Sequence, residues 1–112
     1  MKLGFMTAAL PELSLEQLAA WASGNGFGML EIACWPPGKA ERRYAGVTHI
    51  DVTDFDAAKA KDVLSIMDKY GLEISSLGYY PNALYPDEAH RETVIGHLKK
   101  VIVAAEMLEV PI

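Results

Sequence analysis

Glu31 is the lone carboxylate in an otherwise apolar stretch, Met29-Leu30-Glu31-Ile32-Ala33-Cys34. Burying an unpaired carboxylate is costly, so a residue in this setting needs a cation, hydrogen-bond donors or water. Two readings fit: an internal salt bridge, or direct contact with a ligand. Trp35 follows directly, and Tyr79-Tyr80-Pro81-Asn82 comes later in the chain. Aromatic rings beside an amide and a carboxylate suit a sugar-like molecule, whose C–H surfaces take a ring face and whose hydroxyls take polar groups. The same rings also serve for packing within a loop or against a neighbouring subunit.

The other reactive residue types are sparse. Of the three histidines, His90 and His97 lie on one expected helix. Their separation is about 10 Å along its axis, too far to share a metal directly. Both read as solvated helix positions. His49 sits in Val47-Thr48-His49-Ile50-Asp51-Val52, after the second expected strand. In a parallel sheet that loop lies on the C-terminal side, where ligands bind, although a structural role competes. Cys34 is the single cysteine, which excludes an intramolecular disulfide and a thiolate-clustered metal site. In an apolar strand it reads as a small buried hydrophobe rather than a nucleophile. Gly24-Asn25-Gly26-Phe27-Gly28 lacks the G-x-G-x-x-G spacing and runs from helix into strand, so it reads as a cap and turn, not a phosphate cradle. No Ser/His/Asp nucleophile arrangement is legible from the order of residues.

Three strand-then-helix units position these residues. The first strand is expected over residues 3–7. Ser14 and Gln17 then have the spacing of a capping box, in which each side chain satisfies an orphan N–H of the first helical turn. Leu15, Leu18, Ala19 and Ala22 form the apolar stripe of that helix, and the glycines at 24 and 26 stop it. The second strand spans 29–34 and ends at Trp35-Pro36-Pro37-Gly38, since proline supplies no ladder donor. Period-2 alternation turns Leu30, Ile32 and Cys34 toward the helices and Glu31 the other way. A polar loop over 39–53 leads to a second helix, beginning near Thr53 or Asp54. Val63, Leu64, Met67 and Tyr70 share one of its faces, and Gly71 closes it. The third strand is expected over 72–77. Pro86-Asp87-Glu88 opens the third helix with negative charge in its first turn, where the helix dipole favours it. Its apolar face is Val94, Leu98, Val101, Ala105 and Leu108.

With 112 residues, 51% of them apolar, the chain has the means to bury a core and is not a disordered sequence. Ten basic against fifteen acidic residues give a net charge of −5, with no basic run. Arg42-Arg43 and Lys99-Lys100 are isolated pairs that read as solvated surface, so a nucleic-acid partner is not expected. No apolar stretch approaches the roughly 18 residues of a membrane span, and the start is too soon interrupted for a secretory signal. No membrane partner is expected, and the default compartment is the cytoplasm. The β-α-β-α-β-α order with short connections implies parallel strands and right-handed crossovers, in an α/β fold. Parallel strands are normally covered on both faces or closed into a barrel, and a full (β/α)8 barrel takes roughly 250 residues. Val110-Pro111-Ile112 resembles the lead-in to a fourth strand. The expectation is therefore that the three units are a truncated part of a larger parallel α/β domain.

The sequence resembles the sugar phosphate isomerase/epimerase family, the xylose isomerase-like TIM barrels. That superfamily also holds inosose dehydratases, ketose 3-epimerases and apurinic/apyrimidinic endonucleases of the fourth type. The likeness lies in Lys2-Leu3-Gly4-Phe5 and in Gly26-Phe27-Gly28-Met29-Leu30-Glu31-Ile32. It continues in Gly46-Val47-Thr48-His49-Ile50-Asp51-Val52, in Ile74-Ser75-Ser76-Leu77-Gly78-Tyr79-Tyr80-Pro81-Asn82, and in Ala104-Ala105-Glu106-Met107-Leu108-Glu109-Val110-Pro111. It covers essentially the whole chain.

The resemblance implies that residues 1–112 are the N-terminal part of a xylose isomerase-like TIM barrel domain, a partial (β/α)8 barrel of the first three βα units. The substrate, a small sugar, would lie at the C-terminal mouth of the eight-stranded whole. A divalent metal held by Glu, Asp and His side chains would polarise the sugar oxygens there. Acid/base groups would shuttle a proton beside the carbonyl through an enediolate-like intermediate. In the epimerase-like members the metal ligands and acid/base carboxylates come mainly from later strands, so no metal ligand or catalytic residue carries over to this chain. The first-half mouth positions do carry over: Glu31, Trp35, Tyr79 and Asn82, then His49 and Thr7, which would shape and orient the substrate. The 112 residues alone are expected to be inactive, with the divalent metal belonging to the intact protein. A competing expectation is a non-catalytic assembly module, self-associating through open sheet edges. A dehydratase or abasic-site endonuclease on the same fold is another, and the acidic balance argues against the DNA enzyme.

Overall fold

Leu30, Ile32 and Cys34 alternate along one strand, and all three are completely buried. Around them the chain folds as β1 (Gly4–Met6), a 3-10 turn (Thr7–Ala9), α1 (Leu15–Gly24), β2 (Met29–Ala33), α2 (Ala57–Tyr70), β3 (Glu73–Gly78) and α3 (Glu88–Met107). The computed structural model describes residues 1–38 and 45–111. Arg42, Arg43, Ile112 and the first part of the polar loop therefore lie outside the described residues. The strands form one sheet in the order β1-β2-β3, and both pairings are parallel.

One hydrophobic cluster unites the outward face of the sheet with all three helices. Leu18, Ala19 and Ala22 of α1, Ala60, Val63 and Met67 of α2, and Val101 and Ala104 of α3 close over Leu30 and Ile32. The opposite face carries Met6, Glu31 and Ser76 side by side in register. Glu31 is only half-buried, while its neighbours Leu30 and Ile32 are sealed, as alternation requires. Among the described residues no helix is long and apolar enough to cross a membrane.

Local chemistry sets the helix ends. Ser14 Oγ accepts from the Gln17 amide at 3.2 Å and Gln17 Oε1 accepts from the Ser14 amide at 2.9 Å, completing the capping box. Ser14→Ala removes one of these bonds and should lower stability by about 1 kcal/mol, read as a shift in the urea midpoint. At the other end of α2, Gly71 adopts the left-handed conformation (φ 65°) that only glycine takes without strain.

Three boundaries and one buried face differ from the sequence reading, each for a physical reason. β1 stops at Met6, because Thr7 turns its hydroxyl inward to accept the Ala33 amide at 2.9 Å. α2 begins at Ala57 rather than near Thr53, with Asp56 as its N-cap, accepting from the Lys59 amide at 2.9 Å. Asp51 accepts from the Thr53 amide at 3.0 Å, a turn that mimics a cap one step too early. β3 runs to Gly78 and carries an irregularity: Leu30 pairs Ile74 but Glu31 pairs Ser76. Ser75 is thus a bulged extra residue, which lets Ile74 and Leu77 both pack on the core although they are three positions apart. Finally, α3 buries Val94, His97, Val101 and Ala104. Leu98 and Ala105 are only partly covered, and His97 is not a solvated position. The seat of the helix on the sheet rotates its buried stripe by about one residue from the one that periodicity alone favours.

Candidate functional site

The C-terminal ends of parallel strands collect the loops that follow them, and here those ends gather aromatic rings. Trp35 leaves β2 and meets two rings that leave β3: Tyr79 at 5.8 Å and Tyr80 at 5.6 Å between centroids, both edge-on. Tyr80 is largely exposed and Trp35 half-exposed, whereas Tyr79 leans inward against the core. Successive residues at a strand end point to opposite sides, which is why adjacent tyrosines divide into an open ring and a backing ring. Burial raises the Tyr79 phenol pKa, so it stays a protonated donor.

Glu31 lies below this cluster on the inward face. A Cβ placed on Gly78 would stand 3.4 Å from Glu31 Oε1 and only 2.5 Å from the Met6 methyl. Gly78 therefore leaves the space into which both side chains reach, one residue before Tyr79. The carboxylate thus reaches the strand end from which Tyr79 and Tyr80 depart, and these side chains together form the candidate patch.

The other expected residues lie around this patch rather than in it. Thr7 is completely buried, and its oxygen holds the β2 backbone. It braces the wall. Asn82 is exposed, and its Oδ1 accepts from the Leu84 amide at 2.9 Å, shaping the loop after β3. His49 anchors through its backbone, whose N–H donates to Ala33 O at 2.9 Å. Its two ring nitrogens are buried without a hydrogen-bond partner. Burial pushes its pKa below the usual histidine range, outweighing the pull of the Leu10 and Leu13 backbone and of Glu12. A histidine that resists protonation in the folded state stabilises it fully above the unfolded pKa of about 6.5, and that contribution is lost as the pH falls below it. Urea midpoints measured from pH 8 down to 5 should therefore fall. In His49→Phe that limb should flatten, leaving only the later loss from carboxylates such as Asp51, whose pKa the Thr53 amide holds low.

Two groups outside the carried-over set belong to the aromatic cluster: Tyr80, read in the sequence among the aromatic rings, and His97, read there as solvated. Tyr80 is its most open ring. His97 of α3 packs against Tyr79 with ring centroids 4.5 Å apart and the planes tilted by 54°, and its Nε2 lies 2.6 Å from Cys34 O. The signal that could have found His97 is its position one residue before Leu98, inside an apolar stripe that tolerates a one-residue rotation. Cys34 is an inert wall residue, its thiol pushed up to about 12 by burial. Among the described residues no three His, Cys, Asp or Glu side chains converge as a metal centre would need. These residues by themselves do not fit a divalent ion, and no chemical step is assigned to one here.

A family model described as xylose isomerase-like TIM barrel matches residues 19–112. Among curated protein sequences nothing matches. The chain is similar in structure to a crystal structure of D-psicose 3-epimerase in the presence of D-fructose, with a TM-score of 0.66 and 13% identity over 98% of this chain and 35% of that one. It is also similar to a xylose isomerase domain containing protein from Salmonella typhimurium LT2, with a TM-score of 0.58 and 18% identity over 96% of this chain and 33% of that one. At these identities the likeness is one of fold: three strands and three helices matching part of a barrel. The chain spans about a third of the length of each of these structures.

Proposed function

The chain belongs to the xylose isomerase-like TIM barrel family, and from that premise we propose that the protein is a sugar isomerase or epimerase whose substrate lies against Trp35, Tyr80 and Glu31. The observation that carries this reading is a juxtaposition at the strand ends: Glu31, half-buried on the inward face, reaches to Gly78, the residue before Tyr79, and the rings of Trp35, Tyr79 and Tyr80 meet just beyond. The likeness in fold to a D-psicose 3-epimerase supports a ketose as the substrate class. In this role Trp35 and Tyr80 cover the C–H surface of the sugar, and Glu31 accepts hydrogen bonds from its hydroxyls.

The reaction is removal of a proton from the carbon beside the carbonyl and its return, either to the opposite face of that carbon or to the neighbouring one. Charge rests meanwhile on the oxygens of an enediolate-like species. Residues 1–111 supply binding and orientation. The acid/base pair and the ligands of a divalent metal, which would polarise the sugar oxygens when bound, are assigned to later strands of the barrel. Residues 1–112 alone are accordingly proposed to be inactive. A cytoplasmic setting suits the single buried thiol. Incubation of the intact protein with ketopentoses and ketohexoses in D2O tests the reading. Deuterium should appear at the carbon beside the carbonyl, and its absence from every ketose tried would overturn the assignment.

A further inference from the structure

His97 is the one polar side chain of the α3 core face, 8% exposed, and it makes two contacts that converge on the aromatic patch. A carbonyl oxygen has no proton to give, so at 2.6 Å from Cys34 O the Nε2 atom must carry the hydrogen and donate it. Cys34 O belongs to the peptide plane that joins Cys34 to Trp35, and β2 ends one residue earlier, at Ala33. The ladder around it is otherwise occupied: the Cys34 amide donates to Gly78 O at 3.0 Å, and the His49 amide takes Ala33 O. The imidazole thus fixes the orientation of the plane from which Trp35 departs. The same ring packs, tilted, against Tyr79, which in turn makes a T-shaped contact with Trp35. Two of the three rings at the rim are thus set by one buried imidazole.

We infer that His97 is the positioning residue for Trp35 of the sugar-binding face, acting on it directly through the Cys34 carbonyl and indirectly through ring contact with Tyr79, the ring that backs it. The inference rests on the assignment of the patch to sugar binding. Two substitutions separate the two contacts. His97→Gln keeps an N–H donor at the position of Nε2 and loses the ring that packs against Tyr79. His97→Phe keeps the ring and loses the donor, leaving Cys34 O unpaired.

The test is steady-state ketose turnover by the intact protein, with KM and kcat read separately and thermal midpoints recorded alongside. His97→Phe should raise KM about tenfold with kcat within about threefold of the parent, because a misoriented binding wall weakens ground and transition states alike. His97→Gln should recover part of that loss. A lowered thermal midpoint with KM unchanged in both variants would reduce His97 to a core residue and overturn the inference. If His97→Phe does not fold, an unchanged KM in His97→Gln with Tyr79→Ala clearly impaired overturns the ring-contact half, and a raised one supports it. Failure of the underlying reading looks different: Trp35→Ala and Tyr79→Ala would then leave ketose KM unchanged.

Discussion

Ile32→Ala should destabilise the protein by about 2–5 kcal/mol, whereas Glu31→Gln, one residue away, should shift stability by no more than about 0.5 kcal/mol. Ile32 is completely buried in the cluster between β2 and the helices, so truncation leaves a cavity that α1 and α3 close only in part. Against a net stability of about 5–15 kcal/mol for a typical domain, such a loss is severe. Glu31 points to the other face and stays half-exposed, so neutralising it removes no packing. Urea unfolding of both variants reads the difference directly. Similar losses for the two would mean that β2 does not present these faces as described, and the candidate site would lose its floor.

Trp35→Ala should raise the KM for a ketose by about tenfold or more while kcat changes little. The indole is the meeting point of the rim, in edge contact with both Tyr79 and Tyr80. Its removal deletes the apolar surface for the sugar and frees the two tyrosines. Trp35→Phe, which keeps an aromatic face of smaller area, should fall between. Trp21 is the control. It lies in a separate cluster with Phe5 at 5.8 Å and Phe27 at 5.9 Å, under α1. Trp21→Phe should leave ketose KM unchanged. A collapse of kcat with unchanged KM in Trp35→Ala would place the indole in the chemical step rather than in binding.

Much of this architecture was legible in the residues because its causes are local. Alternation in 29–34 assigned Glu31 and Ile32 to opposite faces, and Ser14 with Gln17 marked the start of α1 to the residue. Where tertiary contacts decide, the sequence was silent. Asp51 and Thr53 have the look of a helix start, but the turn they make closes before Asp56 caps α2. The spacing of Ile74 and Leu77 is irreconcilable with a regular strand, and nothing short of the pairing with β2 shows that Ser75 bulges. Which of two adjacent tyrosines opens to the patch depends on where β3 ends. His97 has the composition of a surface position, and only the seat of α3 on the sheet places it beneath the rim. Residue type therefore only nominated the candidate side chains, while which ring stands open and what braces it came from packing.

The central claim is that a ketose binds the face formed by Trp35, Tyr80 and Glu31. The most direct measurement is a titration of the 15N-labelled intact protein with a ketose, following the indole N–H signals of Trp35 and Trp21, assigned by substitution. The Trp35 signal should shift with saturating dependence on ketose, and that of Trp21 should stay in place. Movement of Trp21 alone, or no movement of Trp35 at ketose concentrations that saturate turnover, would contradict the account.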